Sequence, residues 1–395
     1  MLRIGQFTDT FLPIVDGVGR VALAYAETLC RMGNQVTVVS PMYDTGYRGG
    51  YPFELVDFQG MSLPGMKHYK QGEAPWDAHY RARMRMIPLD IVHTHTPFTG
   101  GSEALRIAIQ RKIPLVATFH SKYYDDFLKA TKSEKLARMG VKFVVDYYDR
   151  CDEVWAVGQA TADVLHEYGY EGKIHVMPNG VTMRTAEESA IKEVERRWGL
   201  RHDPMILFVG QMNWKKNIRT ILEACAILKK EGQPFHLILA GQGPDMKEIE
   251  QKIYDLNISD RTHLAGHVTN ASLLDGLYRR ASLFAFPSLY DNAPMVVREA
   301  AVMGTPSVMV KGSSAAEIIQ DMQNGYLCQD SAEDLANVIK KALSNPAELE
   351  KIGQAARETI PVPWEKILET AVERYERLIA LGREGKLVKK NLRVI

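Results

Sequence analysis

MILFVGQMNWKKN, residues 205–217, opens as an unbroken apolar run, stops at a glycine and passes into a polar turn carrying two lysines. Consecutive apolar positions read as a strand covered on both faces, the pattern of a parallel sheet rather than of a half-solvated antiparallel one. The same rhythm returns at residues 235–241 (FHLILAG), 262–267 (THLAGH), 283–288 (LFAFPS) and 306–310 (PSVMV), with helical segments near 217–231, 270–281 and 294–303. Upstream, apolar runs at 4–8, 36–40, 91–95, 115–119 and 154–157 alternate with amphipathic stretches at 19–32, 101–110, 133–148 and 160–168. Strand–helix alternation in two successive halves predicts an α/β protein of two Rossmann-like, doubly wound domains.

At 395 residues the chain exceeds what one hydrophobic core usually organises, which agrees with two domains. Residues 178–204 are polar, carry turn signals at both ends and hold one short helical pattern. The expected division is a first domain over residues 1–180, a linker over 181–203, a second domain over 204–362 and a C-terminal segment over 363–395. Pro361 and Pro363 break the pattern before that last segment, whose amphipathic helix is expected to pack back on the first domain. A formal net charge of +1 gives no global attraction for nucleic acid. Cys30, Cys151, Cys225 and Cys328 are scattered without C-x-x-C or metal spacing and read as free thiols. The chain starts straight into RIGQFTD without a signal-peptide pattern, and no apolar run reaches the roughly 20 residues of a membrane span. A cytoplasmic location is expected.

Ligands of open α/β sheets bind at the carboxyl ends of strands, so chemistry is sought in the loops that follow them. PSLYDNAPMVVREAAVMGTP, residues 287–306, ends a strand at Ser288, carries Asp291 in a short loop and starts a helix near Pro294, with Glu299 inside it. Carboxylates there can accept hydrogen bonds from neighbouring sugar hydroxyls, and the backbone of Ala293, Met295 and Val296 lies at a helix start that favours anionic or hydroxyl-rich ligands. The plainer alternative makes Asp291 a helix cap and Glu299 a solvated charge. In the opening stretch Gly210 allows close backbone approach, and Lys216 sits at a helix start where a diphosphate can rest. In the first half, His93 and His95 alternate on a strand, one of them reading as a core histidine, while His120 stands at a strand end facing the ligand side. Gly17-x-Gly19-x-x-Ala22 matches the dinucleotide fingerprint, but residues 10–16 separate it from its strand and the next strand ends in Ser40-Pro41 instead of an acid. It remains a glycine loop suited to a phosphate or sugar. There is no P-loop, no G-x-S-x-G and no D-x-D, so a sugar-nucleotide enzyme built this way is expected to balance its diphosphate with lysine and helix N-termini, needing neither metal nor cofactor.

Together these segments resemble glycosyltransferase family 4, retaining enzymes of the GT-B fold. TDTFLPIVDGVGRVA is similar to the family's N-terminal glycine loop, MPNGVT to the turn closing the first domain, VGQMNWKKN to the diphosphate loop and AGQGP, with Gly243, to the glycine turn of the donor domain. YDNAPMVVREA resembles the E-x7-E signature, and PWEKI the tryptophan-led helix that crosses back. The resemblance implies two domains facing a central cleft, acceptor side first and nucleotide-sugar side second. It further implies that Glu299 holds the donor ribose, that Asp291 and the backbone of Ala293, Pro294, Met295 and Val296 hold the hexose, and that Lys216 neutralises the diphosphate. His120 would contact the sugar across the cleft, and Gly17 would let the first domain approach the phosphates. Transfer would proceed on the front face with retention and without a protein nucleophile. Two positions depart from the family: Asp291 stands for its first signature glutamate and Gln211 for the arginine of its diphosphate loop.

TDTFLP, HTHTPF and FHSKYYDDF are similar to bacterial diacylglycerol glucosyltransferases. Independently, residues 106–142 carry Arg106, Arg111, Lys112, Lys122, Lys129, Lys132, Lys135, Arg138 and Lys142 against Asp125, Asp126 and Glu134. Such a segment either lies on an anionic membrane surface or forms a solvated helix face. The expected reaction is hexose transfer from a nucleotide sugar, UDP-glucose or similar, to a membrane lipid or lipid-linked glycan, with Lys122, Lys129, Lys132, Lys135 and Arg138 on the acceptor and membrane side. The alternatives are a catalytically weak nucleotide-sugar-binding protein, suggested by Gln211, a transferase with a soluble or polysaccharide acceptor, and an epimerase or phosphorylase of the same shape.

Overall fold

The computed structural model of the chain describes residues 1–12, 16–41, 49–63, 66–72, 74–200 and 202–388. It comprises two compact units, Met1–Gly180 with Trp364–Ile395, and Val181–Pro363. In the second unit six strands lie in the spatial order Thr262–Gly266, His236–Ala240, Met205–Val209, Leu283–Ala285, Ser307–Val310 and Tyr326–Cys328, every pairing parallel. Counted along the chain this is the order 3-2-1-4-5-6, the doubly wound arrangement whose reversal beside the first strand opens a crevice at the strand ends. The first unit repeats that order with a seventh strand added: Glu54–Asp57, Gln35–Ser40, Arg3–Phe7, Ile91–Thr94, Leu115–Phe119, Glu153–Ala156 and Ile174–Val176, again all parallel. A two-stranded antiparallel sheet, Gly60–Leu63 with Met66–Gly72, forms separately.

The apolar runs behave as their composition requires. Met205, Ile206, Leu207 and Phe208 are wholly buried, as are Leu237, Ile238 and Leu239 beside them. Each contributes on the order of 1.5–3 kcal/mol by leaving water. The strands that periodicity does not reveal are short: ELVD has four residues, IHV and YLC three each. Too few positions repeat in them for a pattern to register, and the neighbouring strand fixes their conformation. A helix over Glu134–Tyr148 is capped by Ser133, and a separate helix, Tyr124–Thr131, precedes it and stops at Lys132, which is left-handed at φ 54°.

Residues 181–203 differ from the linker that their polarity suggests. Glu188–Trp198 is a helix of the second unit, packed along the helix Ala271–Arg280 with Val194 in the core. Its backbone comes so close that a Cβ on Gly276 would lie 2.7 Å from the Ala190 carbonyl. Arg184 pairs with Asp275 at 2.6 Å and Arg280 with Glu195 at 2.9 Å, so the polar residues that read as loop are ion-paired partners of one helix pair.

After Pro363 the chain rejoins the first unit as the 20-residue helix Trp364–Arg383. Trp364 lies edge-on to Tyr25 at 5.7 Å, and Gly180 sits directly beneath its indole, where a Cβ would lie 2.6 Å from the ring. Further along, Tyr375 stacks on Trp155 at 5.5 Å, and Arg374 bonds to Glu153.

Tyr375 also enters a buried polar column. His93 places its ring nitrogens 2.6 Å from the Tyr375 hydroxyl and 2.8 Å from Thr118 Oγ1. His95 reaches Gln6 Oε1 at 2.8 Å and His120 Nε2 at 3.1 Å. Both strand histidines are therefore satisfied core residues, not one of the two. Burial pushes all three imidazoles down, His120 to about 3.

Two consequences are measurable. Trp364→Ala is expected to cost about 3–5 kcal/mol of first-unit stability, the usual cost of an emptied aromatic site, and Gly180→Ala is expected to lower the denaturant midpoint as well. An unchanged midpoint for both would mean that the helix end carries no packing energy. Histidines kept neutral when folded but protonated when unfolded make the unfolded chain bind more protons, so stability falls as pH drops through the ordinary value of 6.5. The midpoint should therefore decline between about pH 7.5 and 5, and less steeply in His120→Asn; equal slopes would place the titrating groups elsewhere.

Candidate active site

The second unit assembles its site at the carboxyl ends of its first, second and fourth strands in chain order. Strand Met205–Val209 ends at Gly210, whose amide bonds to the Ala240 carbonyl at 3.0 Å. Gly241, at φ 145°, lies against it so closely that a Cβ would stand 1.8 Å from the Gly210 carbonyl oxygen. A Cβ on Gly243 would meet the Met212 carbonyl at 2.4 Å, so only glycine lets the two strand-end turns lie against one another. Asp245 accepts from the Trp214 amide at 2.8 Å, and Asn213 caps a single 3-10 turn, Trp214–Lys216. Lys216 thus belongs to this turn and not to the following helix, Ile218–Lys230, from which left-handed Asn217 separates it at φ 58°. Gln211 is exposed.

The loop after Leu283–Ala285 brings the carboxylates in. Asn217 Nδ2 donates to the Pro287 carbonyl at 3.1 Å and ties the two loops together. Asp291 accepts from Lys216 Nζ and from the Ser288 hydroxyl, both at 2.6 Å, and the Lys215 ammonium rests 4.4 Å above the Tyr290 ring. The structure therefore pairs two residues that sequence reasoning assigned separately. Pro294, expected at the first helical position, is the cap itself, extended at ψ 127° before the helix Met295–Val302; it makes no side-chain cap bond, and Asp291 is engaged elsewhere. Ala293, Met295 and Val296 lie around this helix start, partly exposed. Glu299 is 3% exposed and accepts from the Tyr278 hydroxyl at 3.0 Å, which rules out a solvated helix charge. Tyr278 and Ser288 were missed by sequence reasoning. Tyr278 lies 21 residues from its partner on an ordinary amphipathic helix, so nothing local marks it.

In the first unit, Asp16 caps the helix Gly17–Arg31, accepting from the Gly19 amide at 2.6 Å; residues 13–15 of the preceding loop lie outside the described residues. The two glycines differ in role. A Cβ on Gly19 would crowd the Asp16 carboxylate and the Thr10 carbonyl, at 3.0 and 3.1 Å, whereas one on exposed Gly17 meets nothing within 4 Å among the described residues. Asp9, also missed, is buried at the end of strand Arg3–Phe7 and accepts from the Gly100 amide at 2.6 Å. It caps from a distance a helix, Thr99–Arg111, whose own cap position is Phe98. Its carboxyl is raised by burial. His120 follows strand Leu115–Phe119, held through His95 by Gln6.

The basic segment resolves into two parts. Arg106 is paired with Glu103 of its own helix at 2.6 Å, and Arg111 donates to the carbonyls of Met84 and Ile87 at the end of the helix Ala78–Met86, so both are engaged within the fold. Lys129, Lys132, Lys135, Arg138 and Lys142 are exposed on or beside helices Tyr124–Thr131 and Glu134–Tyr148, with Lys122 partly so. Among them stand two exposed apolar side chains, Leu136 at 49% and Met139 at 59%. Among the described residues no helix is long and apolar enough to cross a membrane, and no group of three or more His, Cys, Asp or Glu side chains is placed to hold a metal ion.

Comparison with known proteins bears on the family and the fold. Residues 15–184 match the family model Glycosyltransferase Family 4, and residues 191–359 match Glycosyl transferases group 1. Among curated proteins, the alpha-monoglucosyldiacylglycerol synthase of Streptococcus pneumoniae is 26% identical over 353 residues, covering 87% of this chain and 78% of that one. The protein of the same name from Acholeplasma laidlawii is 24% identical, covering 86% and 87%. Among solved structures, sucrose-phosphate synthase from Thermosynechococcus elongatus superposes with a TM-score of 0.80 at 19% identity, over 96% of this chain and 100% of that one. HepE of Anabaena in complex with UDP gives 0.74 at 17% identity, over 95% and 100%. These are GT-B neighbours, and their likeness to this chain is one of fold. With two successive domain matches lying on two doubly wound units, the chain belongs to glycosyltransferase family 4 and is a glycosyltransferase that uses a nucleotide-sugar donor.

Proposed function

We propose that this protein is a retaining, metal-independent hexosyltransferase that moves a hexose from UDP-glucose, or a close analogue, to a membrane lipid or lipid-linked glycan. The observation that carries the reading is the convergence of Lys216, Asp291 and Ser288 within 2.6 Å contacts at the strand ends, with Glu299 held close by on the following helix by Tyr278. A cation paired with one carboxylate, with a second carboxylate on the following helix, offers what a sugar diphosphate requires: positive charge for the leaving group, acceptors for hydroxyls. Lys216 would balance the developing diphosphate charge, and the glycine turns at Gly210, Gln211 and Gly243 would admit the nucleotide to the backbone. Glu299 would accept from the ribose, and Asp291 with the backbone of residues 293–296 from the hexose. His120, neutral because it is buried, would bond to the sugar without adding charge, and Gly17 leaves room at its helix start.

The family's front-face chemistry would let the departing phosphate oxygen take the proton of the acceptor hydroxyl as the new glycosidic bond forms. No side chain then has to act as nucleophile. The lipid acceptor is supported by the two synthases named above and by the exposed cationic helices with Leu136 and Met139 among their charges. Basic side chains interleaved with apolar ones suit an anionic bilayer surface, which is where such an acceptor resides. A peripheral site on the cytoplasmic face follows from this reading.

Transfer from UDP-glucose to diacylglycerol should lose about 10²-fold or more in kcat/KM in Glu299→Ala and His120→Ala, the scale of removing one preorganised polar contact, and should persist in EDTA. Hydrolysis or transfer abolished by EDTA and restored by Mn²⁺ would remove metal independence, and wild-type rates in both variants would remove the site. Co-sedimentation with phosphatidylglycerol vesicles should weaken with salt. Replacing Lys129, Lys132 and Lys135 by Gln should cut it about hundredfold, at about 1 kcal/mol per lysine near an anionic surface; undiminished binding would discard the membrane face.

A further inference from the structure

The bond between Lys216 and Asp291 joins two groups that, on the donor reading just given, serve different parts of one ligand. Nζ and Oδ1 are 2.6 Å apart, and the side chains are only 16% and 19% exposed, so water screens the pair weakly. The second carboxylate oxygen is held by the Ser288 hydroxyl at 2.6 Å, which fixes Asp291 in place when its cation leaves. A diphosphate arriving at Lys216 must exchange one anion for another. An intact sugar nucleotide compensates the abandoned carboxylate by donating hexose hydroxyls to it. A nucleoside diphosphate without sugar has no such donor and leaves Asp291 uncompensated, a like charge near the phosphates.

We infer that the Lys216–Asp291 pair makes Asp291 a specificity-determining residue that discriminates against the sugarless nucleotide, the product of transfer, and so limits product inhibition. This rests on the donor-site reading above and adds to it a direction: removing the carboxylate's charge favours the nucleoside diphosphate more than the sugar nucleotide. A residue that merely shapes the loop would weaken both ligands together. Glutamate at this position has a longer arm and can keep the pair, so Asp291→Glu is expected to retain the discrimination.

The test is calorimetric titration of wild type, Asp291→Asn and Asp291→Glu with UDP and UDP-glucose, and with GDP and GDP-mannose. For the nucleotide that wild type binds, the ratio of the diphosphate Kd to the sugar-nucleotide Kd is expected to fall about tenfold in Asp291→Asn, one charge exchange at 1.4 kcal/mol per decade. In Asp291→Glu it should stay within about threefold of wild type. Steady-state inhibition by the diphosphate should strengthen in parallel in Asp291→Asn. A ratio that is unchanged or raised in Asp291→Asn overturns the inference while leaving the donor site standing. Wild type that bound no nucleotide on the panel would overturn the donor-site reading, and this inference with it. Should Asp291→Asn fail to fold, Ser288→Ala, which loosens the carboxylate without removing it, is expected to narrow the ratio, and an unaltered ratio there counts against the inference.

Discussion

Parallel strands covered by helices on both faces leave little solvated sheet surface, and the placement of the candidate site residues follows from that constraint. Side chains along Met205–Val209 and most of those along Leu115–Phe119 are spent on packing, so polar groups reach water and ligands past the strand ends. Gly210 and Lys216 follow one strand, Gly241 and Gly243 the next, Asp291 a third, while His120 and Asp9 follow strands of the first unit. The glycines are needed because strand-end turns of neighbouring strands lie against each other; the 1.8 Å that a Gly241 Cβ would leave to the Gly210 carbonyl shows how little room there is.

Several of the polar groups that enter the interior are engaged there. Glu299 has the Tyr278 hydroxyl, and Asp9 has the amides at the start of the helix Thr99–Arg111. His93, His95 and Gln6 form a column that reaches Tyr375 of the returning C-terminal helix. A buried polar group without a partner costs on the order of 1–3 kcal/mol. Such networks therefore fix side-chain positions more tightly than hydrocarbon packing does, and His120 inherits that rigidity through its contact with His95. In the second unit the loop network of Asn217, Ser288, Asp291 and Lys216 plays the same part nearer the surface.

Legibility in the sequence tracks the physical range of the signal. Long apolar runs such as 205–210 and 235–241 announced central strands because five consecutive positions carry one message. Edge strands of three or four residues, ELVD, IHV and YLC, carry too little, and partner strands decide them. Residues 181–203 read as linker because their charges looked solvated; Arg184–Asp275 and Arg280–Glu195 are in fact bonds between segments some ninety residues apart. The basic run over residues 106–142 likewise conceals two jobs, since Arg106 and Arg111 are consumed inside the fold while the lysines of the later helices stay exposed.

By itself the sequence determined two doubly wound domains, the strand-end loops in which to look for function and the candidates Asp291, Glu299, Lys216 and His120, because strand periodicity and strand-end position are local properties of a chain. Tertiary structure alone decided that Lys216 meets Asp291, that Tyr278 holds Glu299, that both strand histidines are buried and that Gly17 is open where Gly19 is packed. Each of these is a contact between residues distant in the chain, whose energy depends on three-dimensional position and burial. No reading of neighbouring letters contains that information.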